Sequence, residues 1–416
     1  MNILGLASLL LVAAAAFGAI NYLFLKLPSA IGILIVALVA SFGVIATDWV
    51  FPALTIEEEL RALVLDIEFS EALLEGMLGL LLFAGALHVK VADLKREWLL
   101  VLLMATIGVG LSTAIAGVGF SWITGAPLLI ALVFGALISP TDPVAVLGVL
   151  RAANLPKSLE TKIAGESLFN DGVGYVVFLV LVGIAFPTGD AHGTGLSGAA
   201  LLFAQEAFGG AALGAVLGFG AFRVMRRIDD PPLEVLITLA LAFGGYQLAV
   251  WLHVSAPIMA VVAGLLIGDV GSKYGMSDET RAHVDTFWTL IDEILNAILF
   301  LLIGIEVFAI AFEASFLLAG LGAIVLHLLA RFSAVVVPVF LLRPFDTNLE
   351  NGITRIMTWG GLKGGISVAL VLALPENEWK PLMLTATYMV VLFSIIVQGL
   401  TVAGLAKRLG AAPDLV

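Results

Sequence analysis

Two aspartates stand in stretches that are otherwise almost entirely apolar. Asp171 lies in "SLFNDGVGYVVFLV", directly after Asn170, and Asp142 lies between two prolines in "ISPTDPVAVL". Since Asn170 and Asp171 follow Ser167 by three and four residues, one helix face presents a hydroxyl, an amide and a carboxylate. Hard oxygen ligands of this kind suit a desolvated monovalent cation, whereas a soft metal prefers Cys or His. The spacing therefore predicts a site that binds a cation or a proton.

Basic residues occur in the same apolar surroundings. Lys363 lies among four glycines in "TWGGLKGGISV", and Arg331 lies four residues after His327 in another apolar run. We predict an ion pair between Glu166 and Lys363, because Glu166 lies about 6 Å nearer the predicted cytoplasmic side than Asn170. Arg331 is predicted to brace backbone carbonyl groups of broken helices.

Asp142, Asp171 and Lys363 are predicted to share one depth. Each lies eight or nine residues from a lysine or arginine at the edge of its apolar run. At 1.5 Å per residue, this places all three about 12–14 Å inside, close to the middle of a hydrocarbon layer roughly 30 Å thick. A charge there costs from about 3 to more than 10 kcal/mol, so each side chain must face a partner or water. The alternative to a binding site is that the carboxylates neutralise buried cations, or that Asp142 stabilises the N-terminus of a broken helix.

The composition of the chain indicates what surrounds these residues. The 416 residues are 61% hydrophobic and 12% charged, and they include 44 glycines, a mixture that no water-soluble core would hide. Apolar runs of about 20 residues recur from end to end and are too long and uniform for barrel strands, so they are predicted to be helices. A sequence without Cys excludes disulfides and thiolate metal sites. We therefore predict an all-α integral membrane protein with a single domain over residues 1–416.

About thirteen transmembrane helices account for the apolar runs. One connecting helix near 198–222 separates two six-helix halves, about 1–186 and 233–406, and reverses the second half, as in transporters with inverted repeats. Prolines around Asp142 and glycines around Lys363 free backbone groups that only a polar cavity satisfies, so these two spans are predicted to be crossed and partly unwound. The predicted spans lie near 3–25, 29–47, 71–88, 98–123, 127–150, 163–186, 198–222, 233–251, 254–270, 288–312, 314–342, 353–374 and 381–406.

The cations sort to one side of these spans. Sixteen of the 20 lysines and arginines lie in connections on one side, two lie on the other side, and Arg331 and Lys363 lie inside spans. Positive-inside sorting then places the N-terminus outside and the C-terminus in the cytoplasm of a multi-pass protein of the cell's inner (plasma) membrane. The first apolar run is expected to be a retained helix, because its first cation, Lys26, follows the run.

Three motifs together resemble those of the cation/proton antiporters of the NhaP and NHE sodium/proton exchanger type. They are "GESLFNDGVGYVVF", "ISPTDPVAVLGVL" and "WGGLKGGISVALVLALP", in family-like order and spacing over most of the chain. The resemblance implies an NhaA-like fold and a homodimer that exchanges Na⁺, or alternatively Li⁺ or K⁺, for H⁺ by an elevator-like motion. The residues that it assigns to the bound cation or proton are Asp171, Asn170, Ser167, Thr141 and Asp142.

The resemblance also implies details of the exchange. The Asn-Asp pair at 170–171 is the family's usual mark of electroneutral one-for-one exchange, and Glu166 is paired with a basic residue of the glycine motif. Two departures occur in this chain. Lys363 stands where that motif commonly has Arg, and Ala84 and Gly85 stand where some members place an acidic ligand.

We predict a secondary active transporter, not an enzyme, in which Asp171 holds either a cation or a proton and only the loaded molecule changes conformation. Such exchange would serve pH homeostasis. The alternatives are a K⁺/H⁺ antiporter, an ion channel, and an organic-anion transporter on a similar fold. The expected partner is the lipid bilayer, with no nucleic acid, no nucleotide and no cofactor beyond the transported ions. "GTGLSG" matches the dinucleotide-binding pattern, but it follows no predicted strand and lies in a predicted outer loop.

Overall fold

The polypeptide folds into helices joined by short connections. The computed structural model describes residues 3–51, 60–61, 72–142, 157–186, 196–310, 312–344 and 352–409. Every regular element within these ranges is a helix, which agrees with the predicted all-α class. The part of the fifth predicted span that follows residue 142 lies outside the described residues, and so do most of the connections after the second and sixth predicted spans.

The first group of helices runs from the N-terminus to residue 185. Three π-helical turns interrupt or extend it, at Asn21–Leu25, Ala72–Met77 and Met104–Gly108. The helices are α1 Ile3–Ile20, α2 Ser29–Val50, α3 Leu78–Leu87, α4 Val91–Leu103, α5 Val109–Thr124, α6 Leu128–Leu137 and α7 Lys157–Ala185.

The second group follows residue 195. π-Helical turns occur again, at Ile267–Gly271 and Phe393–Gln398, and a 3₁₀ turn at Glu306–Ala309 ends one helix. The helices are α8 Leu196–Met225, α9 Pro231–Trp251, α10 Ala256–Leu266, α11 Asp278–Ile305, α12 Ala314–Leu342, α13 Ile353–Trp359, α14 Gly365–Leu372, α15 Lys380–Leu392 and α16 Gly399–Arg408.

Local sequence signals determine several helix ends. The Asp230 carboxylate accepts a hydrogen bond from the Leu233 N–H at 3.1 Å and caps α9. The Ser277 hydroxyl accepts a hydrogen bond from the Thr280 N–H at 3.3 Å and caps α11. Such caps satisfy backbone donors that a helix leaves free in its first turn. Gly125 ends α5 in the left-handed region, with φ of 74°, which a glycine adopts without strain.

Nine helices in the described part of the chain are long and apolar enough to cross a bilayer, and α3 and α6 are shorter apolar helices. Each of the thirteen predicted spans overlaps at least one observed helix. The number of thirteen spans nevertheless stays a prediction. Fewer than thirteen of the described helices are long and apolar enough to cross a bilayer, and part of the fifth predicted span lies outside the described residues.

The helices pack as two bundles. We call α4–α7 together with α12–α16 the site bundle, and α1–α3 together with α8–α11 the flanking bundle. Within the site bundle, α5 packs on α6 and α12, and α7 packs on α4 and α6. Within the flanking bundle, α10 packs on α3, α8 and α9, and α11 packs on α2. Helix α7 contacts both bundles, since it also packs on α8 and α10, and it therefore lies at the boundary between them.

Candidate functional site

Two irregular stretches of the site bundle meet, one after α6 and one between α13 and α14. The α6 helix ends at Leu137, the last helical bond runs from the Ile138 N–H to the Phe134 carbonyl oxygen, and residues 140–142 are irregular. An irregular stretch likewise separates α13 from α14. The two interruptions contact each other, because the Asp142 N–H donates to the Leu362 carbonyl oxygen at 2.8 Å. Within the described residues, the two irregular stretches therefore lie against each other.

Lys363 satisfies backbone groups that the unwinding leaves free. Its Nζ donates to the carbonyl oxygens of Ser139 and Pro140 at 2.7 and 2.9 Å, and its own N–H donates to the Ser394 hydroxyl at 2.9 Å. Lys363 is almost completely buried, so these bonds replace water around the ammonium group. The cation therefore stabilises the broken end of α6, where helix carbonyl groups concentrate negative charge.

The predicted hydroxyl and amide residues form one hydrogen-bonded cluster. Asn170 accepts from the Thr141 N–H at 3.2 Å through Oδ1 and donates to the Thr141 hydroxyl at 2.8 Å through Nδ2. The Thr141 and Ser167 hydroxyls lie 2.9 Å apart. All three side chains are buried. Asn170 thereby ties the unwound stretch to α7, and this contact determines where the neighbouring Asp142 lies.

Asp171 and Asp142 both line one cavity, as the common depth predicts. Asp171 lies on α7 with 4% of its surface exposed, and its Oδ1 has no hydrogen-bond partner among the described residues. Asp142 is half-buried, and its carboxylate packs against the backbone of Gly364 in the other interruption. A buried carboxylate oxygen without a donor is costly unless a cation, a proton or water satisfies it.

The cavity has a volume of about 730 Å³ and lies between the two bundles. Its walls come from α7 and α14 of the site bundle and from α3 and α11 of the flanking bundle. Asp142 and Asp171 line it, and so do Lys90 and Lys157, which lie near helix ends on the side where the predicted cytoplasmic connections lie. The cavity therefore joins the two carboxylates to one side of the molecule.

Glu166 pairs with Arg331, so the predicted pair between Glu166 and Lys363 is wrong. The Arg331 guanidinium donates to both carboxylate oxygens of Glu166, with the Nη2 to Oε2 bond at 2.8 Å. Both side chains are buried. The planar fork of Arg matches a carboxylate with two parallel bonds, whereas the Lys363 ammonium is occupied by the carbonyls of α6.

Arg331 also makes the contact that was predicted for it. Its Nε and Nη2 donate to the Met357 carbonyl oxygen at 3.1 and 2.8 Å, in the last turns of the interrupted α13. Gly361 allows the guanidinium to lie directly on the backbone, since an added Cβ would be 2.0 Å from Arg331 Nε. Arg331 thus links α7, α12 and the interruption before α14.

The sequence analysis did not identify the partners of Lys363. Ser139 and Pro140 contribute backbone carbonyls, which carry no signal in the residue type, and Ser394 lies in a π-helical turn of a distant helix. Among the described residues, no acidic side chain of α3 lines the cavity. The described α3 residues that line the cavity are apolar or glycine, and Glu75 belongs to the preceding turn Ala72–Met77.

Replacing Gly364 with Ala is expected to displace Asp142 and to lower the free energy of unfolding by about 1–3 kcal/mol. The added Cβ would lie 2.1 Å from Asp142 Oδ2 and 2.6 Å from its Cβ, and the crossed backbones leave little room to move. Denaturant unfolding of the purified protein in detergent measures the effect. Gly110→Ala is the matched control, because no described atom lies within 4 Å of its added Cβ. Equal stability of the two variants would contradict the close packing at the crossing.

Comparison with known proteins extends these observations. A family model described as "Sodium/hydrogen exchanger, transmembrane" matches residues 10–408. The chain is 47% identical over 411 residues to the Na(+)/H(+) antiporter NhaP of Pseudomonas aeruginosa, covering 95% of this chain and 94% of that protein. It is 35% identical over 387 residues to the Na(+)/H(+) antiporter NhaH of Halobacillus dabanensis, covering 93% of each.

The fold is similar to that of a solved structure. The sodium proton antiporter MjNhaP1 from Methanocaldococcus jannaschii superposes with a TM-score of 0.77 over 98% of both chains, at 19% sequence identity. At that identity, the likeness concerns the arrangement of the helices. The same overall arrangement of helices therefore occurs in sequences that differ at most positions.

Proposed function

This chain belongs to the family of transmembrane sodium/hydrogen exchangers, and from that membership we propose that it exchanges Na⁺ for H⁺ across the membrane. It is a multi-pass membrane protein, and its family consists of transporters. The buried Asp171 carboxylate is the observation on which the site assignment depends. Its Oδ1 has no hydrogen-bond partner among the described residues, and Asp171 lines a cavity that leads to one side of the molecule.

In this proposal Asp171 binds either the cation or the proton. The Asn170 amide is engaged with Thr141 on both its atoms, so it positions the unwound stretch while Asp171 receives the ion. Asp142 and the Ser167 and Thr141 hydroxyls supply further oxygens beside it. Because one carboxylate serves both ions, Na⁺ and H⁺ compete, and each leaves when the other binds.

The two bundles move relative to each other in the proposed cycle. The site bundle carries the loaded carboxylate from the present cavity to the opposite side, and the empty anion stays behind because an uncompensated charge is costly in the bilayer interior. We further propose thirteen spans arranged as two inverted repeats, with the N-terminus outside and the C-terminus in the cytoplasm. The proposed location is the plasma membrane, and the proposed assembly is a homodimer. The sorting of 16 cations to one side supports the topology.

The exchange rate is expected not to change with an imposed membrane voltage. Asp171 carries one Na⁺ in one direction and one H⁺ in the other, so the loaded site bundle has the same net charge in both half-cycles. Vesicles with a valinomycin-set K⁺ potential and an internal pH dye measure this. A Na⁺-driven pH change that accelerates with voltage of one sign and slows with the other would contradict one-for-one exchange.

Reconstitution of the purified protein into pH-reporting vesicles tests the function itself. Addition of Na⁺ is expected to dissipate a preformed pH gradient in proportion to protein content, whereas Li⁺ and K⁺ added separately reveal the range of cations. A response to K⁺ alone would support a K⁺/H⁺ antiporter. Cation flux that needs no counter-gradient would support a channel. An organic-anion transporter is disfavoured by the cavity, since Asp142 and Asp171 line it and Lys363 is occupied by backbone carbonyls.

A further inference from the structure

Asn296 is a buried amide that the proposed exchange does not yet use. It lies on α11 in the flanking bundle, 4% of its surface is exposed, and it lines the same cavity as Asp142 and Asp171. Its Nδ2 donates to the Asp292 carbonyl oxygen at 2.7 Å and to Asp292 Oδ1 at 3.0 Å. Its Oδ1 is buried and has no hydrogen-bond partner among the described residues.

The orientation of this amide follows from its neighbours. Exchanging the amide oxygen and nitrogen would place Oδ1 against two acceptor oxygens of Asp292, which is repulsive. The two donated bonds therefore hold the nitrogen toward Asp292 and leave an acceptor oxygen without a donor. A buried acceptor in this condition calls for a ligand that carries positive charge or a proton.

Contacts across the bundle boundary place the helix turn after Asn296 against the stretch that contacts Asp142. Leu299, which lies three residues after Asn296 on α11, packs on Gly365, where an added Cβ would lie 2.2 Å from Leu299 Cδ1. The preceding residue, Gly364, lies in contact with the Asp142 carboxylate. Positions three apart on a helix share a face, so Asn296 faces the same boundary one turn away.

We propose that Asn296 Oδ1 is a ligand of the transported monovalent cation, contributed by the flanking bundle. An amide oxygen is a hard neutral ligand suited to Na⁺, and it adds to the carboxylate and hydroxyl oxygens of the site bundle. Since α11 does not belong to the site bundle, the ligand is available only while the cavity opens to its present side. Asn296 therefore sets the cation affinity on this side alone. This inference rests on the proposed exchange and names one of its specificity-determining residues.

The test compares Asn296→Leu with Asn296→Asp in vesicles of defined orientation. Asn296→Leu removes the oxygen and is expected to raise the apparent KM for Na⁺ about tenfold on the side of the cavity, with the maximal rate unchanged. Asn296→Asp keeps that acceptor oxygen, although its second oxygen repels those of Asp292, and is expected to raise the KM less than Asn296→Leu does. The KM measured from the opposite side is the internal control and is expected to stay the same in both variants.

Other outcomes overturn the inference. If Asn296 only holds Asp292 in place, the Asn296→Leu and Asn296→Asp variants impair exchange to the same extent, because both lose the Nδ2 donor. In that case the KM for Na⁺ changes on both sides of the membrane or on neither. Measuring exchange by the wild-type protein distinguishes a wrong ligand assignment from a wrong proposed function. Na⁺/H⁺ exchange by the wild-type protein with an unaltered KM in Asn296→Leu refutes the ligand alone, whereas no exchange by the wild-type protein refutes the function.

Discussion

Asp171→Asn is expected to lower Na⁺/H⁺ exchange to the rate of protein-free vesicles. Asn has nearly the same shape as Asp, but it carries no charge to compensate a desolvated cation and no group that takes up and releases a proton. The buried position makes this loss severe, because no other described side chain within two turns of Asp171 on that face of α7 carries a charge. Na⁺-induced dissipation of a pH gradient in reconstituted vesicles measures the effect.

Asp278→Asn is the matched control for this substitution. It makes the same chemical change in a carboxylate whose side chain is 99% exposed and which pairs with Arg281 on the surface, so exchange is expected to persist. The site assignment fails if Asp171→Asn vesicles still respond to Na⁺. Retained exchange in Asp171→Asn together with its loss in Asp142→Asn would assign the exchange site to Asp142 instead.

Arg331→Met is expected to reduce the free energy of unfolding by about 3–5 kcal/mol, because it leaves the Glu166 carboxylate buried without its partner. The same change removes both donors to the Met357 carbonyl in the interrupted α13. Denaturant unfolding in detergent micelles, followed by tryptophan fluorescence, measures the difference from the wild-type protein.

Double variants show whether Arg331 or Lys363 is the partner of Glu166. Glu166→Leu added to Arg331→Met removes the unpaired charge and is expected to recover part of the lost stability. Glu166→Leu added to Lys363→Met is expected to lower stability further, because Arg331 then lacks its carboxylate. Recovery in the second pair instead of the first would restore the ion pair between Glu166 and Lys363 that the sequence suggests.

Much of the architecture follows from the order of residue types along the chain. Apolar runs of membrane length can satisfy their backbone groups only as helices, so helices were predicted at places that overlap those observed. Prolines beside Asp142 and glycines beside Lys363 marked the two interruptions, because these residues remove a backbone donor or weaken a helix. Spacing along α7 likewise predicted that Ser167, Asn170 and Asp171 belong to one site.

The sequence alone determined that this is a helical membrane protein with two aspartates at a common depth. Only the tertiary structure decided which charges meet, since spacing gives the height of a residue on its helix but not the rotation or neighbours of that helix. Arg331 and Lys363 were both cations near Glu166 in predicted depth, and the tertiary structure brings the Arg331 guanidinium of α12 to Glu166 of α7. Asn296 was indistinguishable from other polar residues on α11 until two bundles placed it on the wall of the cavity that contains Asp171.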